Sequence, residues 1–338
     1  MAERARPGDV VRAFWRQSQR GRQPEPRDAL LARLDAVYAA RGQPSPARLS
    51  APERLEADER GPALQLERFE PTGARPSGAT PTVVFAPGTN AYALLYAELL
   101  AALAARGVRA IGYDPRGHGA SGGRRGSYTM DELVDDLARV VAHARARHGA
   151  PVFVAGSSQG GITALYYAAR GGPIAGAICH NAADLADPTS LRLTRLPVSV
   201  SHALAPTLRR VARVLPELPV PLTAYLDLAR ERVEGLGSAR EVIYADPSVV
   251  PFIRLRTLAS LSSAKLARPV EAIDAPILLL HAGRDTIFPQ DLVHDLFDRL
   301  PGPKQLRVYP DLPHYMVVDH VPRFVDDVVA WIDEIVAR

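Results

Sequence analysis

The segment Gly156-Ser157-Ser158-Gln159-Gly160 offers the chemistry of a serine nucleophile. It fits the pattern G-x-S-x-G, directly after the apolar run Val152–Ala155 and before a helical pattern. A strand that turns sharply into a helix lifts one side chain above the sheet edge, and flanking glycines let the backbone pack closely there. Ser158 takes the central position, and Ser157 is the competing hydroxyl. A serine hydroxyl attacks a carbonyl only when a base takes its proton, and a third group must orient that base. Asp285 and His314 follow in the chain order expected for acid and base. Asp285 emerges after the apolar run Ile277–Leu280 and the turn at Gly283, and His314 follows the strand pattern Gln305–Tyr309.

Each assignment has rivals. His320 lies six residues beyond His314, one turn late, and His281 precedes the acid at a strand end. Asp184 and Asp187 follow the apolar run Ile174–Cys179, and either is a displaced candidate acid. An oxyanion formed at the attacked carbonyl needs two fixed backbone N–H donors. Gln159, next to the nucleophile, supplies one. The turn Pro87-Gly88-Thr89-Asn90 supplies the other, with Thr89 the first choice and Asn90 the second.

These residues need an α/β sheet to bring them together. Leu64–Phe69 alternates like a half-exposed strand, and Thr82–Ala86, Val108–Tyr113, Val152–Gly156 and Ile174–Cys179 read as buried strands. Helical patterns lie between them at Tyr92–Ala105, Met130–Arg147 and Gly160–Ala169. Thr129 and Glu132 form a capping box ahead of Met130. Continuous apolar strands alternating with helices imply a mostly parallel sheet covered on both faces. The rhythm stops at residues 184–273, which read as a helical cap, and resumes with strand Ile277–His281, helix Gln290–Leu300, strand Gln305–Tyr309 and helix Val321–Val336. The core is thus expected at 61–183 and 274–338. Residues 1–60 read as an N-terminal helical extension, with helical patterns at Val10–Ser18 and Asp28–Ala40.

Composition narrows the classes. The chain has 338 residues, 47% hydrophobic and 23% charged, as a globular protein has. Cys179 is the only cysteine, which excludes an intramolecular disulfide and a cysteine-rich metal site. Lys265 and Lys304 are the only lysines, so arginine carries nearly all the positive charge. A net charge of +4 is too mild to imply nucleic acid. No apolar run reaches the roughly 18 residues of a membrane span. The first residues lack the apolar stretch of a signal peptide, so a cytoplasmic location is expected. No metal motif, P-loop or dinucleotide fingerprint occurs, and no cofactor is expected.

Taken together the motifs resemble the α/β-hydrolase superfamily. The segment Gly112-Tyr113-Asp114-Pro115-Arg116-Gly117-His118-Gly119-Ala120-Ser121-Gly122, followed by Gly123-Arg124-Arg125-Gly126, is similar to that of its monoacylglycerol lipase and lysophospholipase-like, or serine aminopeptidase-like, branch. Asp246-Pro247 also resembles that group. The resemblance spans about 63–337. Two places depart from it: Ala86-Pro87-Gly88 stands where His-Gly is commoner, and Gly-Ser-Ser-Gln-Gly where Gly-His-Ser-Met-Gly is frequent. It implies a structural role for His118 in ordering its loop. It also implies hydrolysis of a small-molecule ester by Ser158, His314 and Asp285, with apolar acyl or monoacylglycerol-like esters as substrates.

Three function classes follow. The first is an ester hydrolase, and the second acts on another bond as an amidase, aminopeptidase, C–C hydrolase or acyltransferase. The third is a binding protein without turnover. An aminopeptidase wants cap carboxylates for a substrate ammonium, and Asp227, Glu231 and Glu234 are the candidates. In the cap, leucines and valines from Leu191 to Val214 alternate with Arg192, Arg195, Arg209, Arg210 and Arg213. That pattern suits an amphipathic helix packed on the core, with no stable membrane insertion; a homodimer is possible.

Overall fold

A computed structural model describes residues 25–73, 75, 80–149, 151–233 and 237–338. The helical pattern at Val10–Ser18 lies outside them. In chain order the elements up to the elbow are α1 (Arg27–Ala39), β1 (Ala51–Leu55), β2 (Leu64–Phe69), β3 (Thr82–Ala86), α2 (Ala97–Ala105), β4 (Arg109–Tyr113), α3 (Met130–His148) and β5 (Val152–Ser157). Then come α4 (Gln159–Ala169), β6 (Gly176–His180), α5 (Val198–Val214), β7 (Pro219–Pro221), β8 (Arg232–Val233), β9 (Gly237–Ser238), α6 (Ala239–Ala245), β10 (Phe252–Arg254) and α7 (Leu255–Leu261). The chain closes with β11 (Ile277–Ala282), α8 (Gln290–Arg299), β12 (Lys304–Tyr309), α9 (Met316–Asp319) and α10 (Val325–Val336).

Eight strands form one sheet in the order β1-β2-β4-β3-β5-β6-β11-β12. The pairs from β4 to β12 are parallel, and β1 and β2 are antiparallel additions at one edge. This mostly parallel sheet flanked by helices is the α/β-hydrolase fold. Strands β3, β5, β6 and β11 are buried along their whole length, because helices cover both faces and leave no side of the pleat for polar residues. Helix α3 starts where the capping box requires: the Glu132 amide donates to Thr129 Oγ1 at 3.2 Å, and the Thr129 amide donates to Glu132 at 2.7 Å.

Two differences from the sequence reading concern the ends of that pattern. The stretch 1–60 is not only helical: Ala51–Leu55 pairs with β2 in register from Ala51 opposite Arg68 to Leu55 opposite Leu64. This outer strand is only half-buried and tolerates Pro52 because its free edge needs no amide there. Helix α1 buries Leu31, Leu34 and Tyr38. The insert between β6 and β11 also holds two small antiparallel ribbons, β7 with β10 and β8 with β9, besides its helices. Helix α5 buries only Ala212. Much of its apolar side stays exposed, with Leu204 at 50% and Val214 at 78% exposure, so it does not pack on the core as an ordinary amphipathic helix does.

The insert is fastened to the sheet through polar contacts. Asn90 donates from Nδ2 to the carbonyls of Val250 and Phe252 at 2.7 and 2.6 Å. Thr257 accepts from the Tyr128 amide at 2.9 Å. Tyr92 donates to Asp246 at 2.8 Å, and Arg33 of α1 pairs with the same carboxylate at 2.8 Å. The loop after β4 is braced from within. Asp114 accepts from the amides of Ala93 and Ala120, both at 2.8 Å, and the buried Asp136 accepts from the Arg116 amide and guanidinium. His118 contacts the Arg116 carbonyl through Nδ1 at 2.8 Å, and burial pushes its pKa down to about 4.

On either side of the β5–α4 turn, at Gly156 and Gly160, no side chain fits. A Cβ on Gly160 would lie 2.0 Å from the Ala86 carbonyl oxygen, and one on Gly156 would lie 2.2 Å from Gly160. Gly160→Ala is therefore expected to destabilise the protein by about 1–3 kcal/mol through overpacking. Urea unfolding followed by circular dichroism measures this, and wild-type stability would contradict the packing.

Candidate active site

The register of the sheet sets Ser157 opposite His180, and His180 opposite Leu280, at one level of the carboxyl edge. The chain leaves each strand there in a strained way. Among the described residues, Asn90, Ser158 and Asn181 are the non-glycine positions with left-handed φ, at 56°, 55° and 57°. They lie just beyond β3, β5 and β6. Such backbones cost roughly 1–3 kcal/mol each and persist only where the surroundings hold them. At Ser158 the amide donates to the His180 carbonyl at 2.8 Å, which fixes the turn between two strands.

Asp285 stands after β11 with its side chain out of solvent. Its Oδ1 accepts from the amides of Ile287 and Phe288 at 2.7 and 2.9 Å. Its Oδ2 meets His314 Nδ1 at 2.6 Å and accepts from Asn181 Nδ2, also at 2.6 Å. Four donors thus serve one carboxylate, which is what a buried anion requires. His314 lies beyond β12, is 5% exposed and stacks on Phe288 at 5.9 Å.

Behind this pair runs a polar chain that the sequence did not reveal. Asn181 Oδ1 can only accept, so His281 carries its proton on Nδ1, 2.7 Å away. Asn181 Nδ2 can only donate, so His180 accepts at Nε2 and donates from Nδ1 to Ser157 Oγ at 3.0 Å. The only sequence signal for this is the polar pair His180-Asn181 ending an apolar strand.

The electrostatics separate the imidazoles. Burial pushes the His180 pKa down to about 3, with His314 adding to the effect, and burial also lowers that of His281. Burial acts the same way on His314, but the Asp285 charge and its hydrogen bond outweigh it, so the pKa stands above the ordinary 6.5. Burial raises the Asp285 pKa, but the His314 charge and hydrogen bond together with the Phe288 and Ile287 amides outweigh it, and the carboxyl stays below its usual range.

Ser158, Gln159, Thr89 and His314 line one cavity of about 200 Å³. Among the described residues no hydrogen bond runs from the Ser158 hydroxyl to His314, a contact often loose in unliganded sites. Gly88 presses against the elbow, since a Cβ on it would lie 3.8 Å from that of Ser158. Its amide already donates to the Tyr96 hydroxyl at 3.0 Å. The Asn90 side chain is committed to the insert, as above, and to the Tyr128 hydroxyl at 2.9 Å. Most of the remaining lining is apolar and comes from the insert, including Leu191, Leu222, Leu228, Ile243 and Leu258.

The rival residues are placed elsewhere. Asp184 and Asp187 pair with Arg299 at 3.5 and 3.3 Å, and His320 lies outside the cavity lining beside Asp319. Asp227 pairs with Arg230 at 3.2 Å. Glu231 is buried with its carboxylate turned to the loops after β11 and β12, and Glu234 lies outside the described residues. Among the described residues no group of three or more His, Cys, Asp or Glu is arranged to hold a metal ion, and no helix is long and apolar enough to cross a membrane.

Known proteins show the same architecture. Residues 78–336 match the family model described as Serine aminopeptidase, S33. A monoacylglycerol lipase of Mycolicibacterium smegmatis is 30% identical over 258 residues, covering 74% of this chain and 87% of that protein. A soluble variant of the Saccharomyces cerevisiae monoglyceride lipase, solved with a substrate analog, superposes with a TM-score of 0.65 at 20% identity, over 86% of this chain and 96% of that one. A thermostable carboxyl esterase from Bacillus coagulans superposes with a TM-score of 0.67 at 16% identity, over 85% and 98%. The chain is therefore a member of the α/β-hydrolases and belongs to their serine aminopeptidase, S33, family.

Proposed function

We propose that the protein hydrolyses carboxylic esters of apolar acyl groups, of the monoacylglycerol or lysophospholipid kind, through a Ser158–His314–Asp285 triad. The observation that carries this reading is the shared cavity. Ser158 and His314 line it, and among the described residues every other lining side chain is uncharged and most are apolar. An acyl chain gains from burial there at about 25 cal/mol per Å². Among the described lining residues there is no carboxylate for a substrate ammonium, which disfavours an aminopeptidase. Residues 184–273 act as the cap that walls this cavity over the core of 61–183 and 274–338.

In the mechanism His314 takes the Ser158 proton as the hydroxyl attacks the ester carbonyl. Asp285 holds the imidazole with Nδ1 protonated and favours the imidazolium that forms. The oxyanion is received by the Gln159 amide, free at the first turn of α4, and by the Thr89 amide. Thr89 takes that role because the Gly88 amide is occupied by Tyr96. His314 returns the proton to the leaving alcohol, then activates water to release the acid. The likeness to the monoacylglycerol lipase of M. smegmatis supports this substrate class.

A chain-length series of p-nitrophenyl esters tests the reading, with amides of the same acyl groups alongside. Turnover is expected on the esters with an optimum beyond acetyl, and Ser158→Ala is expected to lower kcat by roughly 10⁴-fold or more. Hydrolysis that survives this substitution would sink the nucleophile assignment, and preference for the amides would sink the ester.

The base must be neutral to act, and its pKa is raised, so kcat/KM is expected to fall with acid through a midpoint above 6.5. Asp285→Asn removes the charge that favours the imidazolium. It should move this midpoint to lower pH and cut kcat by about 10⁴-fold. A pH–rate profile of both proteins decides this.

A further inference from the structure

Glu231 is a buried carboxylate that the proposed mechanism does not use. It stands just before β8 in the insert and is 1% exposed. Its Oε1 accepts from both the amide and the hydroxyl of Thr286, each at 2.6 Å. Its Oε2 accepts from the His314 amide at 3.2 Å. Thr286 follows Asp285 directly, so one side chain bridges the loop of the acid to the backbone of the base. The Glu231 carbonyl in turn accepts from the Ala239 amide at 2.9 Å, at the start of α6. Among the described residues no arginine or lysine pairs with Glu231, and three donors from two loops hold the carboxylate out of water.

We infer that Glu231 is a positioning residue: from the insert it clamps the Asp285 loop to the His314 loop, so the base is aligned only while the insert is seated. The inference rests on the triad reading above. Geometry favours it over a space-filling role. Two donors converge on one oxygen and a third meets the other, an arrangement only a carboxylate satisfies. The amide of a glutamine would turn its own N–H groups on one of the two loops. Charge adds to this. Among the described residues the titratable groups that act on His314 are Asp285 from the loop after β11, His281 from β11, His180 from β6, Tyr315 from its own loop and Glu231 from the insert. Asp285 and Glu231 both favour the imidazolium.

The test is steady-state ester hydrolysis by Glu231→Gln across pH, with Ser158→Ala as control. A base out of line by a fraction of an ångström loses rate more than binding, so kcat should fall by roughly 10- to 100-fold while KM stays within about twofold. The acid limb of kcat/KM should also move to lower pH, because a charge that favours the imidazolium is gone. Wild-type kcat would overturn the inference. So would a fall in kcat with the limb unmoved, which is what partial loss of fold alone produces. If Glu231→Gln does not fold, Thr286→Val serves instead. It keeps the carboxylate and deletes one donor, and should lower kcat about three- to tenfold at constant KM; wild-type kinetics there would overturn the clamp. If Ser158→Ala itself hydrolyses the ester, the triad reading has failed and not the clamp.

Discussion

The whole site depends on a close backbone approach at the end of β5. The chain passes between Gly156 and Gly160 against the Ala86 carbonyl, with no room for a side-chain carbon at either glycine. That contact forces Ser158 into a left-handed conformation, and its amide is captured by the neighbouring strand. The cost is of order 1–3 kcal/mol and is offset by a core in which α4 is buried from end to end. The same edge holds Asn90 and Asn181 in similar strain, each with its side chain locked by two or more hydrogen bonds. Strain at the edge and rigidity beneath it are thus one feature seen from two sides.

Burial decides which groups around Ser158 carry charge. Three imidazoles lie close together, and desolvation acts against the proton on each. Only His314 has a carboxylate in contact, so it alone keeps a raised pKa while its neighbours stay neutral and serve as fixed donors and acceptors. Asp285 remains an anion because four donors replace the water it has lost. On the side of β6 a chain of neutral hydrogen bonds through Asn181 supports this pair, so that side adds no buried charge of its own.

Much of this was legible along the chain because it depends on neighbours in sequence. The buried strands are continuous apolar runs, and Ser158, Asp285 and His314 each follow one at a turn, which is why the structure finds His314 and Asp285 in contact and Ser158 in the same cavity. What stayed hidden depends on distance. Ala51–Leu55 is a half-exposed edge strand with a proline and a weak alternation, so it reads as part of an extension. The ribbons of the insert are two or three residues long, below what periodicity can register. Asn181 finds His281 and Asp285 100 and 104 residues away, Glu231 finds Thr286 and His314 55 and 83 residues away, and no local pattern announces them. Helix α5 carries the pattern of a packed helix but leaves that face open, which only the placement of its neighbours decides.

Inserts between β6 and β11 look exchangeable, since the sheet closes around them without contributing a strand to them. In this protein the exchange would cut more than a roof. Glu231 reaches down to Thr286 and His314, and Asn90 reaches up to Val250 and Phe252, so bonds cross the seam in both directions. A chimera that imports a relative's insert at residues 184 and 273 would have to import matching acceptors with it. Recombination of substrate range in this chain is therefore constrained by the seam, and single substitutions on the apolar wall of the cavity are the freer route.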